Sequence, residues 1–146
     1  MARYTAAMIN IRPLIEQRLK TLSDFREVAG VSDLVTLLAG RLATPGCYIY
    51  PLNNSATNHG ADSVIGFEEE QFAVVLAVKN VRDSRGADAS DQCFSLRDTL
   101  LTTLQGWQPD PQTLHMRRLR GQFLKLVNGH YLWMDVYKTG QYTGID

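Results

Sequence analysis

From Asn10 onward the apolar side chains Ile11, Leu14, Ile15, Leu19 and Leu22 recur every three to four residues, the spacing that lines one face of an α-helix. A first helix is predicted there, with Asn10 as N-cap and Pro13 in the first turn, where its missing amide hydrogen is of no consequence. Phe25 to Val31 is short and mixed, and reads as one edge strand. Ser32 then offers a cap to a second, shorter helix through Leu34, Leu37, Leu38 and Leu42, stopped by Pro45-Gly46. A third helix runs through Phe94, Arg97, Leu100, Leu101 and Leu104. The polar stretch Asp83 to Asp91 supplies its caps, and Gly106 closes it.

Strand spacing marks three further stretches. Cys47 to Leu52 reads as a strand that Pro51 pushes toward an edge or an end. Phe72 to Val81 is apolar at both odd and even positions, the mark of a central strand covered on both faces. Phe123 to Val127 and His130 to Tyr137 flank Asn128-Gly129, the preferred pair for a type I′ hairpin turn. Pairing through that turn sets Leu124 and Leu126 beside Trp133 and Tyr131, with Phe123 and Val127 on the other face alongside Leu132 and Met134.

These elements predict a single α+β domain over residues 1–146, with a mostly antiparallel sheet of four to five strands and two to three helices packed on one face. Helices on one face leave the other to a further layer or a neighbouring subunit, so the pattern implies an oligomer. Asn53 to Gly66 offers only Val64 and Ile65 as sizeable apolar groups and reads as a mobile loop or partner-ordered arm.

Charge narrows the range of partners. Fifteen basic residues balance fifteen acidic ones, which leaves no net field to hold a polyanion and argues against sequence-specific nucleic-acid binding. Cys47 and Cys93 are too few for a disulfide framework or a closed zinc site and read as buried thiols. The first twenty residues mix charged and apolar positions, without the apolar block of a signal peptide or membrane span, so a cytosolic chain with no membrane partner is expected.

A search for chemistry yields little. His59, His115 and His130 lack a second ligand at i+2 or i+4. Glu68, Glu69 and Glu70 alternate sides if they are extended, so they do not converge on a metal or a substrate, and an ion-pairing rim is the better reading. Asp83, Asp88 and Asp91 suit turns and caps rather than a calcium loop. No G-x-S-x-G and no phosphate-cradling glycine loop occurs. Catalytic residues, metals and cofactors are accordingly not expected. Arg117, Arg118 and Arg120, near Lys125, form a basic strip suited to ion pairs with an acidic protein surface. Tyr131, Trp133, Asp135 and Tyr137 share one side of the last strand, part core and part covered rim.

Leu96-Arg97, Leu104-Gln105-Gly106-Trp107-Gln108-Pro109, Leu119-Arg120-Gly121 and Tyr131-Leu132-Trp133-Met134-Asp135-Val136 resemble the C-terminal signature of bacteriophage tail terminator proteins. Cys47-Tyr48-Ile49-Tyr50-Pro51-Leu52 and Phe72-Ala73-Val74-Val75-Leu76-Ala77-Val78 extend the likeness over nearly the whole chain. The resemblance implies a non-enzymatic virion tail protein, assembled in the host cytoplasm as a ring, usually of six copies. Such a ring caps the head-proximal end of the tail tube, ends its polymerisation and joins the neck. The implied partners are further copies of itself, the tail tube protein and a neck or head-completion protein; contact with a tail sheath is left open, and DNA passes the pore without being read. The implied tube-contact residues are Asn53, Asn54, Thr57, Asn58, His59 and Asp62. The implied subunit interface comprises Glu68, Glu70, Arg117, Arg118, Arg120, Tyr131, Trp133 and Tyr137. Two competing readings are a head-completion protein of similar size and a small metal-dependent hydrolase using Glu68 to Glu70 and Asp83.

Overall fold

Strand-forming residues dominate the middle and the end of the chain, and in a computed structural model they build one five-stranded sheet. The structure describes residues 7–58, 66–80 and 86–143. In chain order the elements are α1 (Ile11–Leu19), β1 (Glu27–Gly30), α2 (Leu34–Ala39), β2 (Gly46–Asn58), β3 (Gly66–Lys79), α3 (Ala87–Leu104), β4 (Arg117–Val127) and β5 (His130–Thr143). The strand order is β1-β2-β3-β5-β4, antiparallel throughout except for the parallel β1–β2 pair.

The two-faced apolar run places β3 at the centre. Phe72 to Val78 are all buried, and β3 pairs with β5 without interruption from Gly66–Thr143 to Lys79–His130. One face carries Cys47, Ile49, Phe72, Val74, Leu76 and Val78 against α1 and α3. From α1 come Ile11, Ile15 and Leu19, and from α3 come Ala89, Cys93, Leu96, Leu100 and Leu104. Truncating any of the fully buried leucines to alanine removes roughly 2–5 kcal/mol of stability. The other face carries Tyr48, Tyr50, Ala73, Val75, Ala77, Leu132, Met134 and Val136, and α2 covers it through Leu37, with Leu34, Leu38 and Leu42 alongside.

That second layer corrects the expectation of a face left bare for a neighbour. α2 is the crossover between the parallel strands β1 and β2, and the hand of such a connection allows it one face only. α1 and α3 take the other face. Each apolar face of the sheet therefore has a helical cover within one chain, and what stays open is local: a groove beside α2, and Phe123 and Leu126 on β4.

Several boundaries also differ from the sequence reading. Asp33, not Ser32, caps α2: its Oδ1 accepts from the Thr36 amide at 2.7 Å, and these hydrogen bonds hold its carboxyl below the usual carboxylate range. Asn10 occupies the N-cap position of α1 but makes no side-chain cap bond. α3 starts at Ala87 from a left-handed Gly86, so Asp88 and Asp91 lie inside the helix instead of capping it. Gly106 does close α3, at φ +81°.

The largest difference is β2, which continues to Asn58 where the sequence suggested a loop from Asn53. Its polar residues are exposed and bury little, but their backbone groups pair with β3 from Asn53–Gln71 to Asn58–Gly66. Backbone pairing, not side-chain burial, therefore orders this stretch. Residues 59–65 lie outside the described residues.

Pro51 has a defined effect on β2. The amide of Val31 donates to the Ile49 carbonyl at 2.9 Å. In a parallel ladder the next rung would run from the amide of residue 51 back to residue 31, and proline has no amide hydrogen. The β1 ladder stops there, and β2 beyond it is an edge.

The hairpin turn forms as expected, with Asn128 at φ 50° and Gly129 at φ 76°. Its register holds near the turn, where Leu126 faces Tyr131. Further back a bulge between Phe123 and Lys125 puts Phe123, not Leu124, opposite Trp133, and sends Leu124 to the second face with Val127. The ring contact to Tyr131 accordingly falls to Phe123, at 4.9 Å between centroids. Among the described residues no helix is long and apolar enough to cross a membrane.

Candidate functional site

An ionised side chain in an apolar strand needs partners, and Asp135 is such a residue: β5 reads Trp133-Met134-Asp135-Val136, and Asp135 has no exposed surface. Its Oδ2 accepts from Arg97 Nε at 3.1 Å. Its Oδ1 accepts from Arg118 Nε at 3.1 Å and from the Trp133 indole at 3.0 Å. The Arg97 guanidinium also lies 4.2 Å over the Trp133 ring. One carboxylate thus ties α3, β4 and β5 together.

Gly121 makes room for this cluster. It sits opposite Asp135 in the β4–β5 register, and a Cβ there would fall on Asp135 Oδ1 and within 2.6 Å of Arg118 Nη2. Beside the cluster Phe94, Arg97, Asp98, Leu101 and Arg118 line a shallow cleft. Burial pushes the neighbouring Cys93 thiol up to about 12, and it pushes Cys47 up as well, so both stay protonated and unreactive. The Tyr137 hydroxyl is buried on the same face without a hydrogen-bond partner among the described residues, and its burial raises its pKa.

A second polar device holds the N-terminal segment. Gln141, fully buried, accepts from the Ile9 amide at 2.8 Å and donates to the Ile9 carbonyl at 2.9 Å, as a neighbouring strand would. The same Nε2 reaches Glu70 Oε2 at 2.9 Å. Desolvation raises the Glu70 pKa, opposed by that hydrogen bond and reinforced by Glu68. Gln112 Nε2 adds a bond to the Ala7 carbonyl at 2.9 Å.

Four of the six residues singled out as tube contacts fall on β2. Asn53, Asn54 and Thr57 are exposed on β2, and Asn58 ends that strand; His59 and Asp62 lie outside the described residues. Of the interface set, Tyr137 is fully buried and Tyr131 nearly so, both in the chain's own core, so neither offers a partner any surface to speak of. Trp133 is half-buried under Arg97. Arg118 is committed to Asp135 instead of to another subunit. Arg117 and Arg120 remain exposed on β4. Strand alternation separates Arg117 from Arg118 as expected, but the bulge between Arg118 and Arg120 returns Arg120 to the face of Arg117.

The acidic run lies inside β3 rather than ahead of it. Glu69 is 3.6 Å from Lys138 on one face, while Glu68 and Glu70 share the face of Phe72. Among the described residues no group of three or more His, Cys, Asp or Glu side chains is placed to hold a metal ion. The sequence flagged Asp135 within an aromatic row, but it did not identify Arg97 and Arg118 as its partners, nor Gln141 as a clamp. An acid inside an apolar strand was the available signal.

These devices lock a fold together and present surfaces; they do not converge on a reacting atom. No curated protein matches the chain by sequence. The family model described as phage tail terminator protein matches residues 4–145, which takes in every helix and strand above. The chain belongs to the phage tail terminator family and has a structural role in the phage tail.

Proposed function

We propose that the chain is the subunit of a ring, six copies to the turn, that seats on the head-proximal end of the tail tube. There it ends tube polymerisation and gives the neck or head-completion protein its docking surface. The observation that carries this reading is the family match over residues 4–145. The site supports it in kind: the polar devices serve structure, and the exposed functional groups lie on strand edges and one helix face. The ring acts by steric replacement, covering the terminal layer on which another layer of tube would add, and its contacts close on themselves instead of growing a filament.

The outer part of the β2–β3 ribbon is assigned to the tube. Past Pro51 the β2 edge is polar and uncharged, and it carries Asn53, Asn54 and Thr57. Electron microscopy of tube subunits polymerised with and without the purified chain tests the proposal. Tubes of limited length bearing a ring at one end are the expected result, and unchanged growth with no terminal density would refute it. A chain deleted from Ala56 to Val64 is expected to fold and fail to cap; capping by that deletion would remove the ribbon's role while leaving the ring.

A further inference from the structure

α3 turns Ala89, Cys93, Leu96, Leu100 and Leu104 into the core, and its outer side carries Asp91, Phe94, Asp98 and Leu101, all exposed. At i, i+3, i+7 and i+10 these four form one stripe along the helix. Phe94 leaves 67% of its surface in water, against 45% for Phe123 on β4.

The opposite side of the sheet holds its complement. A groove of about 430 Å³ runs between α2 and β4, lined chiefly by Leu34, Val35, Pro51, Leu52, Leu124 and Met134. Val35 stands at its lip, 78% exposed. Arg120 and Lys125 pair across the sheet with Val136 and Leu132, so they share the groove's face, and both are exposed. Cations therefore stand along the β4 side. Asp33, at the α2 end, is turned back onto the Thr36 amide of its own helix.

We propose that the Asp91-Phe94-Asp98-Leu101 stripe of one copy docks into this groove of a second copy, apolar groups inward and the two aspartates against Arg120 and Lys125. This rests on the ring reading and specifies its contact. The occupant is another copy because the chain itself carries a stripe and a groove that match in apolar content and oppose in charge. Stripe and groove lie on opposite sides of the sheet, so the contact is heterologous: each copy offers its stripe to one neighbour and its groove to the other. Such a contact repeats from copy to copy, as a ring requires, and does not stop at a two-fold dimer.

Two variants test it, Phe94→Asp and Val35→Asp, both at exposed positions where the fold should survive, as circular dichroism will verify. By sedimentation the wild type is expected to associate beyond a dimer, and each variant alone to be monomeric. An equimolar mixture is expected to give a one-to-one heterodimer and nothing larger, because the intact stripe of V35D fills the intact groove of F94D and the remaining surfaces are spoiled. Charge reversal at Asp91 and Asp98 to lysine should likewise disperse the assembly, and Arg120→Glu with Lys125→Glu in the same chain should restore it. Variants that associate like wild type, a mixture that stays monomeric, or a wild type monomeric at every concentration each overturn the contact. In the tube experiment, F94D rings at tube ends would remove this contact and leave the ring reading standing, whereas wild type without rings removes both.

Discussion

Replacing Asp135 by alanine is the most informative single perturbation of the fold, because one carboxylate serves three donors. Breaking a buried ion pair by removing one partner costs about 3–5 kcal/mol, since the charge left behind loses its compensation. Here the orphaned guanidiniums of Arg97 and Arg118 keep 21% and 30% of their side-chain surface exposed, so water recovers part of the loss and the lower end applies. The Trp133 indole, half-buried, loses its acceptor for about 1 kcal/mol more. The expected loss is therefore about 3–4 kcal/mol, or roughly 10 °C in melting temperature for a domain of this size. Urea unfolding should show the midpoint falling with an unchanged slope, as for a stability loss without a change in exposed area. Exchanging all three groups for apolar ones, Asp135→Leu with Arg97→Met and Arg118→Met, should recover most of the loss, since a buried charge cluster is seldom better than well-packed apolar side chains. An Asp135→Ala chain within about 1 kcal/mol of wild type would refute the claim that this cluster holds α3 to the β4–β5 hairpin.

Gly121→Ala should cost roughly 1–3 kcal/mol by overpacking the cluster, and distinctly less in the Asp135→Ala background; a double-mutant cycle on unfolding free energies reads the coupling. Tyr137→Phe should be neutral or stabilising by up to about 1 kcal/mol, because its buried hydroxyl has no partner among the described residues to lose, and a melting temperature several degrees lower would count against that. Gln141→Ala should cost about 1–2 kcal/mol and speed hydrogen exchange at the Ile9 amide selectively, with slow exchange there contradicting the clamp. Glu70 has a raised folded pKa, so the fold favours its protonated form: its relative stabilisation is complete below the unfolded pKa and is lost as pH rises through the folded one. Glu70→Gln should therefore gain a little stability at pH 7, under about 1 kcal/mol because the group is partly solvated, and the gain should vanish in acid; a gain that persists at pH 3 contradicts this.

What the sequence disclosed follows the range of the interactions involved. Period and turn chemistry are local, so Ile11 to Leu19, Phe72 to Val78 and the Asn128-Gly129 hairpin were readable directly. Pro51 was readable as a disruption, and its effect on the β1 ladder became specific only once Val31 was placed beside Ile49. Asn53 to Asn58 was misread because the pattern registers side-chain burial, whereas this stretch is held by backbone pairing with β3. The Leu124 bulge shifts the register by one residue in a strand whose two faces are both apolar, and alternation therefore gives no warning. Asp135 announced a need for partners, but Arg97 lies 38 residues away in sequence and reaches it only through the way α3 lies on the sheet.

The side of the sheet that α2 takes matters most for assembly. Had all three helices shared a face, the row from Tyr48 to Val136 would have been the surface a neighbour must cover, and folding and oligomerisation would have been inseparable. With α2 across it, that row is buried within one chain except where Tyr50 and Met134 border the groove, and the sheet's ends remain as further candidates. β4 is a guarded end, interrupted by two bulges and carrying Arg117, Arg120 and Lys125, devices that discourage one sheet from extending into another. Away from that edge, the exposed Phe94 on α3 and the apolar groove beside α2 are the features on which the proposed contact rests. If copies associate through the proposed contact, folding and assembly are separate steps, and a subunit can fold before it meets its neighbours.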